Sequence, residues 1–199
     1  MRPSKILVTL AVLLAPAPVA ADVGEELVRY GVNVSAGGGL VQFIDDDMRD
    51  FATEGGGWEG RLGFGTKRLL TLEAAYVGSL HSIDALGLDR RANLLGTGVE
   101  GNLRVNFTSG RGILQPYVLA GAGWTRYSLV NTDTNTSDVS DRDDLAAFPL
   151  GAGLRVRQGQ LTVDLRAVYR PTAAVDMFAG ASDSSLASWS GTVRAGFEY

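Results

Sequence analysis

Thirteen charged side chains in this sequence alternate with apolar neighbours: Glu59, Arg61, Glu73, Glu100, Arg104, Arg126, Arg155, Arg157, Asp164, Arg166, Arg170, Arg194 and Glu198. In an extended chain successive side chains point to opposite faces, so these five acids and eight arginines share one surface of whatever sheet they build. Such a surface has two uses. The charges pair and fill a space, or they line a path for ions and small solutes. We take Arg61, Glu73, Glu100, Arg104, Arg155, Asp164, Arg166 and Arg194 as an interior charge network.

The other candidates for chemistry are thinner. His81 is the only histidine, with Ser82 beside it. A nucleophilic serine and its base must meet, whereas adjacent strand residues diverge, so His81 reads as an ordinary residue at the base of a loop. The absence of cysteine removes disulfides and thiolate metal sites. Asp133, Asn135, Ser137, Asp141 and Asp144 have a spacing close to a calcium loop, but Asp138 stands at the glycine position and the short Asp144 replaces a bidentate glutamate. Together with Asp45-Asp46-Asp47 this segment reads as a solvated acidic rim, with weak bridging of divalent cations as its alternative. No catalytic, cofactor or metal residue is assigned.

Arg2 and Lys5 precede an apolar stretch from Ile6 to Leu14, and Val19-Ala20-Ala21 supplies small residues at cleavage spacing. The stretch is shorter than the roughly 20 residues of a spanning helix. Residues 1–21 are therefore expected to be a cleaved export signal and residues 22–199 one domain. Losing Arg2 and Lys5 lowers the basic count from 18 to 16 against 22 acids, moving the net charge from −4 to −6. An acidic chain is a poor partner for nucleic acid, whose phosphates need cations. No later apolar run is long enough for a membrane helix, so a membrane reading must rest on strands.

The elements that position the charges are strands. Period-two alternation, bounded by Gly, Asp, Asn or Ser, marks Arg29 to Leu40, Gly57 to Gly65, Leu69 to Leu80, Ala92 to Phe107, Leu114 to Leu129, Ala147 to Arg157, Leu161 to Arg170 and Leu186 to Tyr199. Short connections at Thr66 to Arg68, Thr108 to Ile113 and Gln158 to Gln160 alternate with long ones at Val41 to Gly56, His81 to Arg91, Val130 to Ala146 and Pro171 to Ser185. That asymmetry predicts an all-β, eight-stranded, antiparallel up-and-down transmembrane barrel with short periplasmic turns and long extracellular loops. Hairpin counting sets Arg155 opposite Asp164 across a two-residue Gly159-Gln160 turn, and Arg61 opposite Glu73 across Thr66 to Arg68.

Alternation alone does not separate this barrel from a soluble one whose apolar face points inward. The aromatic residues do. In an up-and-down barrel Trp58, Tyr76, Tyr127, Phe148, Tyr169 and Trp189 reach the extracellular rim, while Tyr30, Phe64, Phe107, Tyr117, Phe197 and Tyr199 reach the periplasmic rim. Two aromatic girdles around an aliphatic band are a membrane pattern. Lys67 is the only lysine after the export signal, so little of this sheet has the lysine-rich surface that faces bulk water.

Pro116-Tyr117-Val118-Leu119-Ala120-Gly121-Ala122-Gly123, Leu150-Gly151-Ala152-Gly153-Leu154-Arg155 and the closing Val193-Arg194-Ala195-Gly196-Phe197-Glu198-Tyr199 resemble the outer membrane protein beta-barrel domain family, of OmpA type. The resemblance implies residence in the cell outer membrane among lipids and lipopolysaccharide. It also implies that Phe197 and Tyr199 belong to a terminal strand read by the outer-membrane assembly machinery. Members include adhesins and surface-stability proteins; relative to OmpA, no periplasmic peptidoglycan-binding domain is expected after Tyr199, and cell-wall anchoring is not implied. The expected function is a structural or surface-interaction role around a charge-plugged interior. A narrow ion or small-solute channel is the alternative. A lipid A-modifying enzyme ranks third, since such enzymes need a serine activated by histidine and His81 with Ser82 does not match.

Overall fold

A computed structural model describes residues 30–45, 54–83, 92–108, 112–130, 142–174 and 187–199. Ten strands follow in order: β1 (Val32–Phe43), β2 (Gly55–Phe64), β3 (Leu70–Ile83), β4 (Ala92–Asn106), β5 (Leu114–Val130), β6 (Arg142–Ala147), β7 (Leu150–Gln158), β8 (Leu161–Arg170), β9 (Thr172–Ala174) and β10 (Ser188–Glu198). Every pairing is antiparallel, and the β4–β5 pair closes the sheet into a barrel.

Ten strands make eight staves because two are interrupted by proline. β6 and β7 both pair with β5 in one unbroken register, and β8 and β9 pair with β7 and β6 in another. Proline has no N–H for the ladder, so the runs break at Pro149 and Pro171 while the stave continues; Pro149 still accepts from the Gly121 amide and Pro171 from the Phe148 amide. The sixth and seventh staves therefore extend further toward the long connections than the alternation predicts.

Two expected pairings fare differently. Arg155 and Asp164 are register partners, joined by a tight turn in which Gly159 has φ +63°, a left-handed conformation suited to glycine. Arg61, however, lies opposite Ala75, and Glu73 opposite Gly63. The connection is longer than three residues because Gly65 adopts φ +83° and its carbonyl accepts from the Arg68 amide, so pairing resumes only at Phe64 and Leu72. A shift of two positions keeps each side chain on its face.

The wall is inverted relative to a soluble protein. Leu72 is 62% exposed and Leu165 58%, whereas Arg104 is fully buried and Arg166 and Arg194 are each 1% exposed. Aliphatic side chains face outward and the charged ones are buried on the lumen side.

Candidate functional site

Alternation on β2, β3, β4, β7, β8 and β10 aims the eight network residues into the lumen, where all are buried. Glu73 is one hub. Its carboxylate takes Arg166 Nη2 at 2.8 Å, Arg104 Nη1 at 3.2 Å and Arg61 Nη1 at 3.4 Å. Asp164 is the other, accepting from the Tyr117 hydroxyl at 2.6 Å, from Arg155 Nε at 3.3 Å and from Arg194. Glu59 binds Arg61 at 2.8 Å and Arg194 at 3.1 Å and accepts from Thr192; Glu100 binds Arg61 at 3.2 Å and Arg170 at 2.7 Å. At the turn end Glu198 binds Arg157 at 2.7 Å and Arg155 at 3.5 Å. Every lumen carboxylate among the described residues thus meets at least two guanidiniums, the condition under which ions tolerate desolvation.

Tyr117 is the residue that sequence reasoning misplaced. Expected in the outer girdle, it points inward with Leu119 and Tyr127, while Arg126, expected inward, lies on the outer wall with Val118 and Trp124. The faces of β5 are reversed from expectation because polar and apolar residues occur on both. The signal that could have found this is Gln115, which shares Tyr117's parity and is fully buried. The Tyr117 ring lies beneath two cations, with the guanidinium carbons of Arg104 and Arg166 at 4.2 and 5.1 Å from its centroid, and its hydroxyl also accepts from Arg166 Nε at 2.9 Å. Gly153 on β7 makes the room: a Cβ there would stand 2.3 Å from the Tyr117 hydroxyl oxygen.

Towards the long connections the filling becomes apolar. Phe43, Tyr127 and Leu145 pack together with Leu94 against them. His81 is not at a loop base but inside β3, fully buried, with its ring 4.7 Å from that of Phe43. Ser82 points to the other face, as alternation requires. A cavity of about 50 Å³, enough for a few waters, is lined in part by Ser79, Thr125, Tyr127, Arg170, Ser190 and Thr192. Asp133, Asn135, Ser137, Asp141, Asp46, Asp47 and residues 1–21 lie outside the described residues; Asp144 pairs with Arg126.

β10 closes the barrel against β1. Phe197 pairs with Val34, and Tyr199 exchanges backbone hydrogen bonds with Val32 at 2.8 and 3.2 Å. Both aromatic rings face outward, as do those of Tyr30, Phe64 and Phe107 at the same end. Trp58, Tyr76, Trp124, Phe148, Tyr169 and Trp189 face outward at the other.

An apolar wall between aromatic girdles, closed on itself around paired ions, defines a transmembrane β-barrel. The chain belongs to the outer membrane protein beta-barrel domain family, whose pattern it matches over residues 7–199. Comparison with curated proteins gives no match. Among solved structures it is similar to Ail, the attachment invasion locus protein of Yersinia pestis, at 12% identity, covering 85% of this chain and 98% of that one with a TM-score of 0.55. The N-terminal β-barrel domain of Pseudomonas aeruginosa OprF gives 16% identity, coverage of 85% and 98%, and a TM-score of 0.51. Neisserial surface protein A gives 14%, coverage of 84% and 94%, and 0.52. These likenesses establish the fold, and the family places the chain in the outer membrane with its wall against lipid and lipopolysaccharide.

Proposed function

We propose that this barrel is a structural or surface-interaction protein of the outer membrane, with a lumen plugged by its own ion pairs and long connections that meet the outside. One observation carries the reading: Arg166 on β8 reaches Glu73 on β3 across the barrel, and other cations on both sides bind the same carboxylate. Eight staves leave a lumen that side chains fill, and a filling held by multivalent ion pairs favours a closed pillar over a channel. The buried ring of His81, turned away from Ser82, favours a role without catalysis. Ail, which shares the fold, has been crystallised with the heparin analogue sucrose octasulfate, and the proposal carries contact with outside molecules over to the long connections of this chain. In this reading residues 1–21 are removed on export and the strand ending in Phe197 and Tyr199 is what the assembly machinery reads.

The test uses cells carrying the full chain or a variant whose four long connections are replaced by short Gly-Ser turns. We expect both barrels in the outer membrane, with binding of whole cells to external surfaces lost only in the variant and small-solute uptake equal in the two. Uptake that depends on the barrel, with binding unchanged by loop replacement, contradicts the proposal.

A further inference from the structure

The deep lumen is short of acid. Glu198 is matched by Arg157 and Glu100 by Arg170, each at 2.7 Å. Among the described residues that leaves Glu59, Glu73 and Asp164 for Arg61, Arg104, Arg155, Arg166 and Arg194, all of them buried. Arginine does not shed its proton in a protein, so the surplus stays as charge, and a buried charge without its counter-ion is strongly destabilising. The sharing of Glu73 and Asp164 among several guanidiniums relieves part of that surplus and leaves some donors over.

Those donors lie toward the turn end. Arg104 Nη2 and both amide atoms of the fully buried Gln115 have no hydrogen-bond partner among the described residues. Arg104 Nε donates to Asn106 Oδ1 at 2.6 Å, and Nη2 shares that edge of the planar group, so the edge faces the turn end of β4. Asn106 is the register partner of Tyr117; the next inward residue of β5 toward the turn is Gln115, and Gln115 is the register partner of Arg155 on β7. Arg104 Nη1 and Arg155 Nε approach one oxygen, Asp164 Oδ2, at 3.8 and 3.3 Å, which sets the two guanidiniums side by side. Arg155 Nη1 lies 3.5 Å from Glu198 Oε2 without a hydrogen bond. Two like charges held together beside an unpartnered amide, with donors from three strands, have the chemistry of an anion site.

We propose that a halide ion of chloride size binds between Arg104, Arg155 and Gln115 and completes the plug. A small monovalent sphere accepts from donors in any direction and fits a lumen that side chains otherwise fill. A divalent oxyanion would set its larger charge against Asp164 and Glu198, which hold the same arginines. This rests on the plugged-lumen reading and adds the ion to it.

Wild type, Gln115→Glu and Gln115→Leu are refolded into phosphatidylcholine vesicles at equal ionic strength with chloride, bromide or the bulky anion gluconate, and unfolded in urea. Crystals of wild type grown in bromide locate the ion by its anomalous scattering. The wild-type unfolding constant falls about tenfold for each tenfold rise in chloride above its dissociation constant, as for one ion bound only by the folded barrel, and gluconate gives no such slope. Gln115→Glu puts a carboxylate where the ion stands, so its halide slope vanishes and in gluconate it is more stable than wild type. Gln115→Leu needs about tenfold more halide to reach the same slope, the worth of a hydrogen bond to a charged group. Bromide lies within hydrogen-bond reach of Arg104 Nη2 and Gln115 Nε2. A wild-type midpoint indifferent to halide overturns the proposal, as does a slope that Gln115→Glu retains or bromide placed away from Arg104 and Gln115. Should Gln115→Glu fail to fold, the wild-type slope and the bromide position decide. Failure of the plug reading looks different, since wild type then passes steady current in halide and gluconate alike.

Discussion

Arg166 and Glu73, 93 residues apart in sequence, meet across the lumen with Nη2 2.8 Å from Oε2. Their strands, β8 and β3, lie four staves apart round the eight-stave barrel, so the pair is a strut between opposite walls. Arg104 and Arg61 reach the same carboxylate from β4 and β2. A single acid thus ties four strands together.

Replacing that acid should be costly in a particular way. Glu73→Ala leaves buried guanidiniums with less counter-charge, and removing one partner of a buried pair costs about 3–5 kcal/mol. The double variant Glu73→Leu with Arg166→Met should be less destabilised than Glu73→Ala, because an apolar pair replaces the ions. Urea titration of barrels refolded in lipid vesicles measures both, and a double variant weaker than the single one contradicts the expectation.

The reversed faces of β5 give a second prediction. Tyr117→Phe removes the hydroxyl that donates to Asp164 at 2.6 Å and accepts from Arg166 at 2.9 Å. Leaving those buried partners unsatisfied should cost about 1–3 kcal/mol. Val118→Leu on the outer wall should change stability by less than about 0.5 kcal/mol. Equal effects from the two in the same titration would place Tyr117 back in the girdle.

Catalysis on lipid A is checked through His81. Its ring is buried against Phe43, so His81→Ala should leave the mass spectrum of lipid A from expressing cells unchanged while lowering the barrel's stability. Disappearance of a lipid A modification in that variant would make the protein an enzyme.

The proposed role of the last residues in assembly gives a further prediction. Deleting Phe197 to Tyr199 removes the backbone bonds between Tyr199 and Val32 and the Phe197–Val34 pairing, opening an edge whose unpaired groups cost several kcal/mol each in lipid. Export and signal cleavage should continue, with the truncated chain collecting in the periplasm or being degraded. Its appearance in outer-membrane fractions at wild-type level, folded and heat-modifiable on gels, would remove the terminal strand from this role.

Strand number, faces and the Arg155–Asp164 pairing were legible because period-two alternation encodes them locally. Arg166 meeting Glu73 was not, since contacts across a lumen depend on tilt and closure, which no local pattern carries. The Arg61–Glu73 register failed on a turn whose length depends on the positive φ of Gly65. On β5, Tyr117 and Trp124 are both amphipathic, so polarity alone did not choose the inward face. The breaks at Pro149 and Pro171 concealed continuous staves that only pairing with neighbours reveals.

The central claim is that the lumen is closed by its own side chains, and planar-bilayer conductance of the refolded full chain tests it most directly. The proposed plug, with ion pairs around Glu73 and Asp164 and the cluster of Phe43, Tyr127 and Leu145, predicts little or no steady current from wild type. Arg155→Ala or Asp164→Ala should raise the current measurably, and further when combined with Phe43→Ala. Large, stable openings from the wild-type barrel would contradict the plug and make the protein a channel.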